Sequence, residues 1–200
     1  TQATPTHMID RHGRISGTTN EAQFVPGPRI ETARLVLRAP TEDDLDDIVA
    51  EINDFAVVRM LARVPFPYTR RDAEDYLAWS RTSRNDVKLV IARAGRTIGC
   101  MGLTDLRATC EFGYWLGQSH WGKGLASEAG RAFLGYCFAA FRIDAIRAGA
   151  FADNPASLRV QAKLGFETTG VSSRLSLARH TKVEHIDTVL TRVRFAEATS

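Results

Sequence analysis

The chain has 200 residues, of which 44% are hydrophobic and 24% charged, and its formal net charge is +3. This length suits one domain that buries roughly 70% of its unfolded surface, and the composition excludes collagen, coiled coils and a largely disordered chain. No apolar run reaches the ~18 residues of a membrane helix, and the start does not resemble a signal peptide. We therefore expect a cytoplasmic protein without membrane contacts, and the small net charge argues against a direct nucleic-acid partner.

Residues 1–28 differ from the rest of the chain because they are rich in Thr, Gly, Pro and His and have no apolar period. Such a segment lacks the apolar surface that a packed core needs. We expect it to be a flexible N-terminal extension, ahead of a domain that spans residues 29–196.

Apolar periodicity and turn residues define the remaining elements. In chain order they are a strand over 34–38, a helix from the Thr41 cap to about 53, a helix from a cap at Thr69 or Asp72 to about 83, strands over 87–93, 97–106 and 110–116, a helix over 123–140, a strand over 145–150, a helix over 154–164, and strands over 166–172 and 184–195. The last two helices each connect two strands, which predicts parallel neighbours inside an otherwise antiparallel sheet. The order is typical of an α/β (α+β) fold.

The cysteines and histidines do not form a metal motif. Cys100, Cys110 and Cys137 are odd in number and widely spaced, which favours reduced and mostly buried thiols. His180 and His185 lie five positions apart and lack the H-E-x-x-H pattern of a zinc site. We therefore expect no metal.

Residues 113–126 carry the most information, because they run from a strand through a glycine turn into a helix. The first N–H groups of a helix have no partner inside it, and the helix dipole adds partial positive charge. Gly122 and Gly124 remove side chains that would block an approaching group. The segment therefore predicts a cradle for a phosphate or pyrophosphate.

Other interpretations of this segment stay open from its residues alone. Residues 117–123 fit the first part of a P-loop, but Gly124 stands where a Ser or Thr should hold magnesium. A dinucleotide fingerprint needs Gly or Ala in place of Ser127 and a position after the first strand. A plain glycine turn that enters a helix is the third alternative.

The segment also resembles motif A of the GNAT superfamily of N-acyltransferases, [Q/R]-x-x-G-x-[G/A], whose last three positions match Gly124, Leu125 and Ala126. Trp121 replaces the first Gln or Arg, as is usual in the RimJ/RimL-like branch, named for enzymes that acetylate ribosomal-protein N-termini. Further matches to that branch lie at residues 31–38, 67–69, 113–116, 154–160 and 163–166. The resemblance covers about residues 30–195 and implies the GNAT fold, a mixed, mostly antiparallel twisted sheet with a splayed central parallel strand pair and flanking helices.

This resemblance implies acetyl-CoA as the donor. Its pyrophosphate would lie on the amides of residues 122–126, and its pantetheine arm between the strand that ends at Leu116 and the strand that starts at Ala145. The N–H near Leu116 would polarise the thioester carbonyl. The residues that the resemblance implies for cofactor binding are Trp115, Leu116, Trp121, Gly122, Lys123, Gly124, Leu125, Ala126, Asn154, Ser157 and Lys163.

The implied reaction is attack by a neutral amine on a thioester, which a base assists. Glu111 on the central strand is the candidate base, and an ion pair with an arginine is its alternative role. Many family members carry a tyrosine seven residues after the motif asparagine, where this chain has Gln161. Ser157 or an ordered water would then bond the departing sulfur, and Tyr114 and Tyr136 are further stand-ins.

We predict that the chain transfers an acetyl group to a primary amine, of a protein N-terminus or a small molecule, by direct attack in a ternary complex. Acceptor specificity should lie in the loop 55–68 and in the strand connection 172–183. That connection carries four basic residues that suit an acidic peptide or a carboxylate-bearing amine: Arg174, Arg179, His180 and Lys182. The alternative is a GNAT-fold domain that binds or senses acyl-CoA without turnover, and either would be a monomer or a homodimer.

Overall fold

One eight-stranded sheet organises residues 27–199, which are the residues that this computed structural model describes. The predicted extension lies outside them, except for Gly27 and Pro28. The strands are β1 (Ile30–Glu31), β2 (Val36–Arg38), β3 (Val87–Arg93), β4 (Arg96–Thr104), β5 (Glu111–Leu116), β6 (Ala145–Phe151), β7 (Glu167–Ser176) and β8 (Thr181–Thr191). The helices are α1 (Leu45–Ile52), α2 (Phe55–Val58), α3 (Arg70–Thr82), α4 (Leu125–Ala140), α5 (Pro155–Lys163) and α6 (Arg192–Thr199).

The strand order is β1-β2-β3-β4-β5-β6-β8-β7, and every neighbouring pair is antiparallel except β5–β6. That parallel pair has a single pair of partner residues, Glu111 and Arg147, whereas β4 follows β5 along its whole length. The two central strands therefore diverge from Glu111 towards Leu116 and leave a gap. The predicted mixed sheet with a splayed central parallel pair is confirmed.

The prediction of parallel neighbours holds for α4, which joins β5 to β6, and is wrong for α5. Helix α5 joins β6 to β7, but β8 lies between these two strands and pairs antiparallel with both. Burial explains this order, because β8 buries His185, Thr188 and Leu190 while β7 is mostly exposed. The less buried strand of the hairpin takes the edge of the sheet.

Two predicted boundaries at the end of the chain are corrected. The last strand ends at Thr191 rather than 195, because its partner β6 begins at Ala145, opposite Thr191. Helix α6 follows, and its Phe195 packs on Phe138 of α4 with ring centroids 5.3 Å apart. The connection 172–183 is mostly strand, since β7 runs to Ser176 and β8 starts at Thr181.

Helices cover both faces of the sheet, as predicted. Helix α4 packs on one face through Leu125, Phe133 and Cys137, while α1 and α3 pack on the other. Within residues 27–199 no helix is long and apolar enough to cross a membrane, and no group of three His, Cys, Asp or Glu side chains is placed to hold a metal ion. All three cysteines are buried and unpaired.

Asp44 anchors α1 to the sheet. The Arg38 guanidinium donates to both of its carboxylate oxygens at 2.7 Å, and the Thr97 hydroxyl donates at 2.5 Å. The Thr41 amide and hydroxyl donate to the same carboxylate at 2.8 and 3.0 Å, and Thr41 occupies the predicted N-cap position, ahead of a 3-10 turn over Glu42–Asp44 that leads into α1. Burial by itself would raise the pKa of Asp44, but these hydrogen bonds lower it to about 2. The acidic run after Thr41 is therefore a helix start, as predicted.

Candidate active site

The gap between β5 and β6 opens into a cavity of about 890 Å³ that reaches from the start of α4 to the loop 55–68. The Gly117 N–H donates to the Ile98 carbonyl at 3.0 Å. Because donors alternate along an antiparallel ladder, the N–H of Leu116 points away from β4 and towards the gap. This N–H is placed to bond a carbonyl oxygen of a ligand that lies between the strands.

The glycine loop at the start of α4 forms the far wall of this cavity. Gly122 and Gly124 have φ angles of +71° and +75°, which residues with side chains rarely adopt. A Cβ at Gly122 would meet nothing within 4 Å, and one at Gly124 would meet only Arg34 Nη2 at 3.6 Å. The first amides of a 16-residue helix are therefore open to an anion.

Arg34 holds the glycine loop in place. Its Nε donates to Glu128 Oε2 at 2.7 Å, and its Nη1 donates to the Lys123 carbonyl at 3.0 Å. Burial would raise the pKa of Glu128, but hydrogen bonds from Thr32 and Arg34 lower it below its usual range. The ion pair thus fastens the strand region before β2 to the first turn of α4. Sequence reasoning missed it, because the two partners are 94 residues apart.

Trp121 has a structural reason to replace the usual Gln or Arg. Its indole Nε1 donates to the Leu116 carbonyl at 2.8 Å, so it ties the glycine loop to the last residue of β5. Lys123 instead donates to the Ser119 carbonyl at 2.7 Å and does not line the cavity. The other predicted cofactor residues do line it: Trp115, Leu116, Trp121, Gly122, Gly124, Leu125, Ala126, Asn154, Ser157 and Lys163.

The cavity wall also contains residues to which sequence reasoning gave no role, among them His120 and Arg159. His120 Nδ1 is buried and has no hydrogen-bond partner among residues 27–199, while its Nε2 lies 3.6 Å from Glu51. A buried nitrogen without a partner costs free energy, so a ligand that bonds it is favoured. The open cradle, the basic wall and this nitrogen suit a long polar ligand with phosphates.

Ser157 lies in the first turn of α5, whose cap is the Asn154 side chain. Its Oγ lies 2.9 Å from the Tyr114 hydroxyl and accepts from Gln161 Nε2 at 3.3 Å. Gln161 is 2% exposed, and its Oε1 accepts from the Thr188 hydroxyl at 2.6 Å. Burial raises the pKa of Tyr114 to about 12, so its hydroxyl keeps its proton. The structure thus brings the predicted serine and one stand-in tyrosine together.

Glu111 lines the cavity where β5 and β6 separate. Its carboxylate accepts from Arg63 at 2.6 Å and from Arg174 at 2.7 Å. Burial by itself would raise the pKa of Glu111, but the hydrogen bond from Arg174 and the charge of Arg63 lower it. The carboxylate is paired with arginine and also lines the cavity. Its position is therefore compatible with both roles considered for it, a base and an ion-pair partner.

The two expected acceptor regions contribute unequally. Loop 55–68 forms a wall of the cavity through most of its length, but Arg174 alone lines it among the four basic residues of 172–183. Arg179 donates to both oxygens of Asp153 and to the Arg59 carbonyl. It therefore fastens the β7–β8 hairpin to the loop instead of facing a ligand.

Comparison with known proteins gives consistent results. The family described as "Acetyltransferase (GNAT) domain" matches residues 34–167. A protein named "Uncharacterized N-acetyltransferase YoaA" of Bacillus subtilis (strain 168) is 31% identical over 159 residues, which cover 72% of this chain and 85% of that protein. The protein "Uncharacterized N-acetyltransferase p20" of Bacillus licheniformis is 27% identical over 148 residues, covering 70% of this chain and 83% of that protein.

Solved structures resemble the chain at low identity. A spermidine N-acetyltransferase from Vibrio cholerae, in complex with CoA and spermine, matches with a TM-score of 0.71 and 19% identity over 82% of this chain and 99% of that one. Mycobacterium smegmatis RimJ, in complex with CoA-disulfide, matches with a TM-score of 0.72 and 19% identity over 87% and 94%. At these identities the likeness concerns the fold.

Proposed function

Because the chain belongs to the GNAT acetyltransferase family, we propose that it transfers an acetyl group from acetyl-CoA to a primary amine by direct attack in a ternary complex. One observation carries the proposal. The gap between β5 and β6 leads directly onto the unobstructed amides of α4, so one cavity offers both an anion cradle and a slot for an extended arm.

In this proposal the donor lies along the predicted cofactor residues. Amides at Gly122 and Gly124 bond the pyrophosphate, Lys163 and Arg159 contribute positive charge, and the N–H of Leu116 bonds the thioester oxygen. Acetyl-CoA supplies a carbonyl carbon that an amine nitrogen can attack. A C–N bond forms, the C–S bond breaks, the amine loses a proton and the sulfur gains one.

Glu111 is the proposed base. Its lowered pKa keeps it ionised at neutral pH, so it is ready to accept a proton, although both arginines weaken it as a base. The ion pair of Glu111 with Arg63 is weaker than that with Arg174, because the Arg63 side chain is 68% exposed and belongs to the loop 55–68. Release of Arg63 on acceptor binding would leave one carboxylate oxygen for the amine.

Ser157 is the proposed hydrogen-bond donor to the departing sulfur. Gln161 donates to its oxygen, so the serine proton is directed either to Tyr114 or into the cavity. A chain of donors from Thr188 through Gln161 polarises the serine hydroxyl. Gln161 of this network stands at the sequence position where many family members carry a tyrosine.

We further propose that the chain belongs to the RimJ/RimL-like branch and works in a reducing compartment such as the cytoplasm. The tie between Trp121 and the Leu116 carbonyl supports the branch, because it gives the branch's aromatic residue a function. Three unpaired thiols support the compartment. We also propose that the GNAT domain spans residues 29–196 and follows an N-terminal extension over residues 1–28.

A turnover screen tests the proposal. Release of free CoA thiol is followed with acetyl-CoA and a panel of peptides, amino acids, polyamines and aminoglycosides, and the acetylated product is identified by mass spectrometry. Thiol release that depends on an amine supports the enzyme. Tight CoA binding without release for any amine would instead support a domain that binds or senses acyl-CoA.

A further inference from the structure

Lys88 lines the cavity and forms no ion pair with any residue that the structure describes. It is half-buried on β3, and its Nζ lies 4.0 Å from the centroid of the Trp79 ring. Among residues 27–199 no hydrogen bond or ion pair reaches this nitrogen, although the charges of Asp86 and Glu111 act on it from further away. A half-buried cation that packs on an aromatic face and forms no ion pair is poorly compensated.

The sheet explains where this lysine points. Lys88 pairs with Gly102 on β4, and Gly102 pairs with Gly113 on β5, so the three form one row across the sheet. The Cδ of Lys88 lies 3.0 Å from the position that a Cβ of Gly102 would occupy. The Lys88 side chain therefore passes over Gly102 towards Gly113. A Cβ added to Gly113 would meet nothing within 4 Å. Gly102 and Gly113 therefore form the open floor of a groove, and the ammonium of Lys88 lies at one end of it.

Charge around this groove is unbalanced. The Glu111 carboxylate lies between two arginines, Arg63 and Arg174. The charges of Glu111 and Arg63 also act on the Lys88 ammonium. The second acid near Arg174 is Asp187, at 3.4 Å, and it also bonds His185 at 2.9 Å.

Other carboxylates near the groove are already engaged. Asp86, which also acts on Lys88, accepts from Ser83 and from the Asp105 amide. The two acids of α3 that line the cavity, Asp72 and Asp75, bond Thr69 and Arg71. Burial lowers the pKa of Lys88 to about 8, although the charge of Asp86 opposes this shift.

We propose that the acceptor amine carries a carboxylate group, which Lys88 binds on the Gly102–Gly113 floor while the amine lies beside Glu111. This inference rests on the proposed acetyl transfer and names the acceptor class of the same site. The anion compensates Lys88 and attracts the exposed Arg63. As Arg63 turns to it, Glu111 loses one of its two cationic partners and becomes a stronger base.

Matched acceptors test the proposal with wild type, Lys88→Met and a control, Lys182→Met. Lys182 is an exposed lysine of β8 that lies off the cavity, so its loss removes the same charge elsewhere. One acceptor pair is an ω-amino acid and its carboxamide, whose amines titrate alike because the carboxylate is distant. The second is a short peptide beginning Ala-Asp and one beginning Ala-Asn. The two pairs separate a small acceptor from a protein N-terminus.

We expect wild type and Lys182→Met to favour the acidic member of at least one pair by about tenfold or more in kcat/KM, because charge-assisted bonds to a desolvated cation are the strong kind. Lys88→Met should lose that preference, mainly through KM. Equal use of both members by wild type would overturn the proposal, as would a Lys88→Met enzyme that keeps the preference. Acetylation of Lys88 itself, seen by mass spectrometry with acetyl-CoA alone, would also overturn it.

A binding measurement separates this inference from the proposed function. Calorimetry with the CoA-loaded protein compares the affinity for the ω-amino acid with that for its carboxamide. If no amine in the panel releases thiol, the proposed function fails, yet tighter binding of the carboxylate by wild type than by Lys88→Met still supports the anion site. Equal binding would overturn the anion site whatever the turnover. Thermal melting of Lys88→Met shows that the variant folds.

Discussion

Arg34 and Glu128 join the start of the sheet to the first turn of α4 through a 2.7 Å ion pair. The same guanidinium bonds the Lys123 carbonyl inside the glycine loop. The loop is therefore held from outside, and the amides of Gly122 and Gly124 stay free. Its geometry is fixed before any ligand arrives, which lowers the entropy cost of binding an anion.

Gly124→Val should abolish measurable acetyl-CoA binding, because a branched side chain would occupy the place of the pyrophosphate. Gly95→Val is the matched control, since Gly95 has a φ of +80°, also has free space around it, and lies in the β3–β4 turn. Both variants carry the same backbone strain, so calorimetry attributes any difference to the cradle. Unchanged affinity in a folded Gly124→Val protein would contradict the cradle.

Gly113→Val should lower activity without lowering the stability of the fold. Gly113 has open space above it and no left-handed backbone angle, so a β-branched residue on β5 should leave the protein at least as stable. The new side chain fills the groove floor, and we expect kcat/KM for the acceptor to fall by about tenfold or more. Gly170→Val, an open glycine on β7 away from the cavity, should keep full activity. Melting curves and steady-state kinetics report the two properties.

Glu111→Gln should lower kcat by about a hundredfold or more, with the largest loss at low pH, where the amine is protonated. The pKa of Glu111 is lowered, so wild type keeps its base ionised throughout pH 6 to 9 (roughly the range where the amine titrates), and its pH profile should follow the amine. Glu184→Gln, an exposed glutamate of β8, is the control. A Glu111→Gln enzyme with the wild-type rate at every pH would assign the residue to its two ion pairs alone.

Ser157→Ala should slow turnover by about ten- to a hundredfold while acetyl-CoA affinity changes little, because one hydrogen bond to a charged group is worth ~1.5–3 kcal/mol. Tyr114→Phe should give part of that loss, since its hydroxyl shares the serine oxygen. Ser173→Ala, an exposed serine of β7, is the matched control. Full activity of Ser157→Ala would mean that the thiolate departs without help from the protein.

Asp44→Asn should destabilise the fold by about 2 kcal/mol at pH 7, which corresponds to the shift of the Asp44 pKa from 3.8 to about 2. A lowered folded-state pKa contributes stability above the unfolded value and loses it as the pH falls. The difference between wild type and variant should therefore shrink between pH 4 and pH 2 (about the two pKa values). Urea unfolding measures it, and Asp46→Asn, an exposed aspartate of α1, should change little.

Local patterns predicted most of the fold, because the responsible interactions are local. The caps at Thr41 and Thr69 and the glycine turn before α4 are set by residues a few positions apart. The predicted end of the last strand was wrong because it depends on pairing with a strand that is distant in the sequence. Val193 and Phe195 continue an alternating pattern, but β6 offers no partner beyond Ala145, so the chain turns into a helix there.

The candidate site was predictable where a motif carries it and not where tertiary contacts create it. Gly122 and Gly124 could be found from the glycine turn before a helix, and Asn154 from the resemblance to the family. The pairing of Glu111 with Arg63 and Arg174 joins residues 48 and 63 positions apart, and no local pattern signals it. Lys88 reads as an ordinary strand residue until the row of glycines beside it is known.

The single bridge between β5 and β6 also bears on how the chain folds. Strands β1 to β5 are neighbours in their chain order, and β6, β8 and β7 form a second set from one later stretch of chain. Strands β3 to β5 and the β7–β8 pair make contacts of short sequence separation, which form fast. The β2–β3 and β6–β8 pairs close longer loops before the two sets dock around α4. We infer that the ligand cleft is the seam between two folding units.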